Sequence, residues 1–432
     1  MLQIVETGTQ EAENFLSKLN ERGKLTDESI LKVVRRTLRD VQEEGDKAVV
    51  RYTRKLDAPR ISVKELKVSR EEFGEAYLEV PSEFIDAITH ARTNIEKFHQ
   101  QQLRTSWMST EPNGVLLGHL IRPLRRVGVH VPAISQLLVS SLLMSVIPAT
   151  VAGVEEIAVC IPPMRNRDIN PHMLVAAGEC GIQEVYKCGG AQAVAALAYG
   201  TDTIPPVDKI VGPGNLYVQF AKKEVYGHVD IDKLAGPSEI LVIADSTADP
   251  DFVAADLISQ AEHGPECAAI LVTPSQGFAE QVKKAVEVQG GTLPRYDQLT
   301  QSFENCGAAF IVDNIAEAVA FANEIAPEHL ELHVENPFDW VGDVKNAGAI
   351  LIGPYSPEAV GDYIAGPNHV LPTGTAARYA SPLSVDDFLK KTSLISYTKS
   401  ALAEVTPAVV KLAEVEGLEG HAAAMKIRFE ED

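Results

Sequence analysis

The chain has 432 residues, 45% hydrophobic and 23% charged, with 30 Gly and 25 Pro. These are globular proportions, and they exclude a mainly disordered, collagen-like or low-complexity chain. Lys plus Arg total 39 against 60 Asp plus Glu, a formal net charge of −21; a general nucleic-acid binder would need a basic footprint instead.

The N-terminus, MLQIVETGTQEAENF, is acidic and lacks the basic-then-apolar order of a signal peptide. Residues 26–57 then open on Thr26-Asp27, good N-cap residues. Ile30, Val33, Val34, Leu38 and Val41 follow at three- and four-residue steps, the apolar face of an amphipathic helix. FIDAITHARTNIEKFHQQQL repeats that pattern, so the first hundred residues read as helices that cover a sheet.

From about residue 125 short β-branched runs alternate with helical segments. RRVGVHV, EEIAVCI, QEVYKC and VDKIV read as strands, and the alternation restarts at SEILVIAD and runs to GAILIGP. Strands alternating with helices imply βαβ crossovers and parallel sheets, here two α/β units with a break between Asp230 and Ser238. Residues 127–154 carry no Asp, Glu, Lys or Arg, and roughly 20 apolar residues suffice to span a bilayer. Pro132 and Pro148 break that run, however, so it reads as a strand, a turn and a buried helix. A protein without a membrane segment, in the cytoplasm, is expected. The cysteines, Cys160, Cys180, Cys188, Cys267 and Cys306, are odd in number and form no C-x-x-C pair, which favours buried thiols over a disulfide framework. The last fifty residues read as mostly helical.

No G-x-G-x-x-G follows any strand, so the usual dinucleotide fingerprint is absent. Two glycine-bearing turns between strand and helix remain, CGGAQA with Gln192 and GPGN with Asn215. Each suits either a phosphate or a plain turn. SQAEHGPE puts Gln260 and His263 three apart on one helix face, where they could share a metal or merely cap a helix. Glu328-His329 in APEHLELHV suits proton transfer near neutral pH. GDYIAGPNHVLPTG adds Asp362 and His369 on a Gly/Pro-rich loop, and EGLEGH adds Glu416 and His421 in the tail.

Taken together, KCGGAQAVAALAYGT, VDKIVGPGN, AGPSEILVIAD, DLISQAEHGPE, APEHLEL and SPEAVGDYIAGPNHVLPTG, in that order, resemble the histidinol dehydrogenase family over nearly the whole chain. The resemblance implies an α/β fold of two incomplete Rossmann-like parallel-sheet domains, with a helical N-terminal region and a helical C-terminal tail. It implies one Zn2+ per subunit, on Gln260, His263, Asp362 and a partner-donated His421, and NAD as oxidant, contacted by Gln192 and Asn215. Glu328 and His329 would be the acid/base pair. The substrate, L-histidinol, would be held by Ser238, Gln260, His263, His329, Asp362, His369, Glu416 and His421. The expected division is a helical segment at 1–25, a first α/β domain of 26–128 with 239–382, a second of 129–238, and a helical tail of 383–432 exchanged in a homodimer. No nucleic-acid or membrane partner is expected.

One segment departs from the family's pattern. Where the family carries a Tyr and then Pro-Gly-Gly, this chain reads His130, Val131, Pro132, Ala133 and Ile134. A weaker hold on NAD is expected there. A paralogue acting on another small amino alcohol or hydroxy compound, or a silent relative with a lost NAD site, are the alternatives.

Overall fold

The structure is a computed structural model that describes residues 2–22, 25–133 and 137–429. The chain divides into two compact units, one of Met1–Gln102 with Leu124–Phe388 and one of Leu103–Pro123 with Leu389–Asp432. In chain order the strands are β1 (Gln3–Glu6), β2 (Trp107–Thr110), β3 (Leu116–Pro123), β4 (Arg126–His130), β5 (Glu156–Ile161), β6 (Val185–Lys187) and β7 (Lys209–Val211). They continue as β8 (Asp230–Ile231), β9 (Glu239–Ala244), β10 (Ala268–Thr273), β11 (Gly307–Ile311), β12 (His329–His333), β13 (Ala349–Ile352) and β14 (Leu389–Ser396).

The first unit contains two parallel sheets. The larger has the order β1-β11-β10-β9-β12-β13, the smaller β6-β5-β4-β7-β8. β9 and β10 are buried along their whole length, which is why EILVIA and AAILVT read as unbroken apolar runs rather than alternating ones. Helices cover both faces of the larger sheet: Phe15, Val319 and Ala322 pack on one side, Leu257, Val282 and Phe303 on the other. At roughly 25 cal/mol per Å² of apolar area, these interleaved layers dominate the stabilisation of the unit.

The parallel α/β sheets and flanking helices agree with the expected fold class. The sequence boundaries differ in three places. QIVE, inside the segment 1–25, is a strand, parallel to β11 at the sheet's edge. The helices Glu28–Glu44 and Asp46–Leu56 belong with the smaller sheet rather than with 239–382: Val34, Leu38, Val41 and Val49 pack in one core with Ala195, Leu197, Ile210 and Phe220 around that sheet. An apolar face dictates burial but does not name its partner, and the small Ala-rich Gly190–Tyr199 helix offers the close approach.

The expected buried helix of the charge-free run is Val139–Ala152, with Pro148 inside it. The proline ring removes the N–H that would reach the carbonyl of Met144, four residues back, and the side-chain amide of Asn368 donates to that carbonyl at 2.7 Å. No helix among the described residues is long and apolar enough to cross a membrane.

The second unit contains the third sheet, antiparallel in the order β14-β3-β2. The expected helical tail therefore begins as a strand, since LKKTSLIS pairs along its length with β3. Two lysines hid the β-forming Thr392, Leu394 and Ile395 from a helical reading. The helices Lys399–Val415 and Glu419–Lys426 follow. Ile395, Leu412, Val415 and Ile427 of this unit are exposed.

Candidate active site

β12 and β9 run side by side in parallel, with His329 opposite Ile240. Glu328 and His329 therefore sit at the amino ends of these strands, next to Ser238. Open α/β sheets usually carry their sites at the carboxyl ends. The smaller sheet does present its carboxyl ends: His130 closes β4, Gly189-Gly190 follow β6 and Gly212–Asn215 follow β7. A cavity of about 510 Å³ is lined from both sides, by Gly212, Pro213 and Gly214 and by Ser238, His263, Glu328, His329, Asp362 and His369.

Glu328 is buried, and its Oε2 accepts the Glu239 backbone N–H at 2.9 Å. Burial pushes its carboxyl up to about 7, against the pull of the neighbouring imidazole. His329 is buried beside it, its Nδ1 3.2 Å from the Glu239 carbonyl oxygen. The same Nδ1 lies 3.7 Å from Glu358 Oε1, while Nε2 lies 3.6 Å from Asp362 Oδ1. Burial works against a charged imidazole, but Glu358, Asp362 and Glu328 outweigh it and raise His329 to about 10.

Asp362 belongs to the short Glu358–Tyr363 helix. Burial would raise its carboxyl, but His329 and His369 win and hold it below the usual carboxylate range. His369 donates from Nδ1 to the Asp362 carbonyl at 2.9 Å. Its Nε2 therefore accepts from Ser141 Oγ, 3.2 Å away, and burial keeps the ring neutral. Asn368 anchors the same loop to the Val139–Ala152 helix through Met144.

His263 follows the Pro250–Ala261 helix and is exposed, whereas Gln260 within the helix is fully buried. Neither amide atom of Gln260 has a hydrogen-bond partner, and an orphaned buried amide is costly unless something else satisfies it. His263, Glu358 and Asp362 bring ligand atoms within 4.8 Å of one another. The structure thus gathers Ser238, His263, Glu328, His329, Asp362 and His369 around one cavity.

Gln192 and Asn215 are not in that lining. Gln192 is buried with an unpartnered Nε2, and Asn215 caps the Leu216–Val225 helix through the Val218 N–H at 3.3 Å. Glu416 and His421 are exposed on the second unit.

Three features escaped sequence reasoning. Glu358 faces His329, and its signal was an acidic pair with Asp362 at i, i+4 on one helix face. Lys222 donates to the Gly212 carbonyl at 3.0 Å and pairs with buried Asp232, which accepts the Gly212 N–H at 2.8 Å. No local motif announces that clamp. Gly212 has φ +111°, and a Cβ there would stand 2.2 Å from the His130 carbonyl oxygen, so only glycine fits.

His130, the third feature, is 2% exposed, so it presents no stacking face. Its Nδ1 donates to the Pro213 carbonyl at 2.9 Å and its Nε2 accepts the Gly190 N–H at 3.1 Å. The ring therefore ties the two glycine turns together. Residues 134–136 of the departing segment lie outside the described residues.

The histidinol dehydrogenase family model matches residues 20–429. The chain belongs to the histidinol dehydrogenase family. It is 49% identical over 431 residues to the histidinol dehydrogenase of Bacillus cereus, covering 100% of both chains. It is 52% identical over 406 residues to that of Moorella thermoacetica, covering 94% of this chain and 96% of the relative. The crystal structure of histidinol dehydrogenase from Elizabethkingia anophelis superposes with a TM-score of 0.92 at 39% identity, covering 99% of this chain and 98% of that one.

Proposed function

We propose that this chain oxidises L-histidinol to L-histidine through histidinaldehyde, the last two steps of histidine biosynthesis, with NAD as oxidant and one zinc ion per subunit. The observation that carries the reading is the buried Glu328-His329 pair opening on one cavity with His263, Asp362 and His369. The donors fit zinc: a histidine and a carboxylate close together, and a buried glutamine with both amide atoms unpartnered. Gln260, His263 and Asp362 would hold the ion, with His421 from a partner subunit. Bound there, zinc would fix the substrate's imidazole and amino nitrogens, and NAD would accept a hydride in each step.

The chain's own groups move the protons. His329 takes the alcohol proton in the first oxidation. Glu358, Asp362 and Glu328 together hold that imidazole protonated, so these carboxylates must be neutralised or engaged elsewhere for it to act as a base. In the second oxidation Glu328 takes a proton from the water that adds to the aldehyde. A carboxyl near pKa 7 suits that task at neutral pH. Ser238, His369 and the tail residue Glu416 would hold the substrate. Gln192 and Asn215, beside the glycine turns of the smaller sheet, would contact NAD. The exposed apolar residues Ile395, Leu412, Val415 and Ile427 support a homodimer with exchanged tails.

NADH formation from L-histidinol, with zinc and with chelator, tests the reading. Turnover that zinc restores after chelation is expected; NADH formation undiminished in exhaustively chelated protein overturns the zinc assignment, and oxidation of another amino alcohol in preference to L-histidinol overturns the substrate.

A further inference from the structure

The Glu328-His329 pair is braced from two sides. His329, Glu331 and His333 share one face of β12, and Glu331 Oε1 accepts the Glu358 N–H at 2.9 Å, which holds the helix bearing Glu358 and Asp362. The other side is β9, whose first residue is Glu239. Its backbone N–H donates to Glu328 Oε2 at 2.9 Å, and its carbonyl oxygen lies 3.2 Å from His329 Nδ1. Its side chain reaches a third part of the site: Oε1 accepts the Gly374 N–H at 3.1 Å, at the end of the loop that carries His369.

Glu239 is itself a buried carboxyl group, 5% exposed. A buried charge is costly unless it is paired, and the partner comes from far along the chain. The Gln10–Glu21 helix packs Ala12, Phe15 and Leu19 on the larger sheet, and its C-cap residue, Arg22, sends a guanidinium to the amino end of β9. Arg22 Nη2 pairs with Glu239 Oε1, each side chain 7% exposed. Arg22 Nη1 donates to the carbonyl of Glu266, in the segment between His263 and β10 that lines the cavity. Burial pushes the Glu239 carboxyl up, and the Arg22 charge opposes it.

One guanidinium therefore joins the strand that orients Glu328 and His329 to the segment that follows His263. A lysine ammonium is a point charge without that planar fork. Among the described residues that line the cavity Arg22 is not one, so its effect on the site runs through Glu239 and Glu266.

On the acid/base roles proposed above, we infer that Arg22 is a positioning residue for the oxidations: by anchoring the Glu239 side chain it fixes the peptide groups that orient Glu328 and His329.

The experiment is steady-state NADH formation from L-histidinol by the zinc-loaded full chain, with zinc content measured alongside. Arg22→Ala should keep its zinc and lose about a hundredfold in kcat, the scale of a misplaced catalytic group. The Gly374 bond to Glu239 survives that substitution, so KM should change little. Millimolar guanidinium chloride should restore part of kcat in Arg22→Ala and none in Glu328→Gln, a rescue that a loss of stability alone would not show. Arg22→Lys keeps the charge without the fork and should recover part of the loss; its kcat, KM and zinc content give the answer should Arg22→Ala fail to fold. Wild-type kcat in folded Arg22→Ala overturns this inference and leaves the proposed function standing. So does a loss of kcat that tracks lost zinc, or one that neither guanidinium nor Arg22→Lys eases. Full turnover in both Glu328→Gln and His329→Ala overturns the acid/base reading instead.

Discussion

Asn368 takes the place of the backbone N–H that Pro148 lacks: its amide donates to the Met144 carbonyl at 2.7 Å. The proline thus leaves an acceptor in the Val139–Ala152 helix, and the loop bearing His369 plugs into it. Asn368→Ala should leave the buried carbonyl unpaired, at about 1–3 kcal/mol, and raise KM for substrate more than it lowers kcat. In a Pro148→Ala background residue 148 supplies its own N–H, so the same substitution should cost less. Equal costs in the two backgrounds, measured by urea unfolding and by KM, would show that the two residues act independently.

Glu328 should govern the pH dependence of the second oxidation. Burial raises its carboxyl to about 7, and the base form must be present, so aldehyde oxidation should climb as pH rises through about 7 and then level. Glu328→Gln should remove that limb and spare alcohol oxidation by comparison. Rapid mixing from alcohol and from aldehyde separates the two steps; equal losses in both would refute the assignment.

His130 should make the protein sensitive to acid. Burial lowers its imidazole to about 4, against roughly 6.5 in an unfolded chain. Between those values the unfolded chain binds a proton that the native state refuses, so stability falls as pH drops from 6.5 towards 4. The loss attributable to His130 is about 3 kcal/mol when complete, at 1.36 kcal/mol per unit. His130→Gln lacks this term. Its unfolding free energy should therefore drop less than the wild type's between pH 7.5 and pH 4.5; parallel drops would acquit the residue.

Mixed dimers should reveal a shared site. Asp362→Ala and His421→Ala are each expected to be inactive alone. In a mixed dimer one site receives both lesions and the other neither. Random exchange makes half of the dimers mixed, so roughly a quarter of wild-type activity should return. Activity that stays at zero while mass spectrometry shows exchange would mean that each site comes from one chain.

The sequence disclosed what is local. Alternating strands and helices announced parallel sheets, and EHGPE, APEHL and GPNHV named the residues that meet at the cavity. It did not disclose what depends on partners distant along the chain. Whether Val34 and Leu38 face the larger or the smaller sheet is decided by the Ala-rich helix they meet. The burial of His130 depends on Pro213 and Gly190, far along the chain, and the helix through Pro148 survives because Asn368 answers it. Glu331 and His333 were in plain view, but alternation gives meaning to charge only once a strand is known to be buried.

The placement of His329, Glu331 and His333 on one strand face has a consequence for what this chain can tolerate. A strand has a side-chain period of two, so gaining or losing one residue after Glu328 would turn all three to the opposite face. That face belongs to Leu330 and Leu332, which sit in apolar core with Leu241 and Ile243. Three ionisable groups would enter hydrocarbon and two leucines would enter the polar seam. The strand is thus a ruler with no spare divisions: single substitutions along it can be graded in their effect, whereas a frame change of one residue removes His329 from the cavity, Glu331 from the Glu358 N–H and the leucines from the core together.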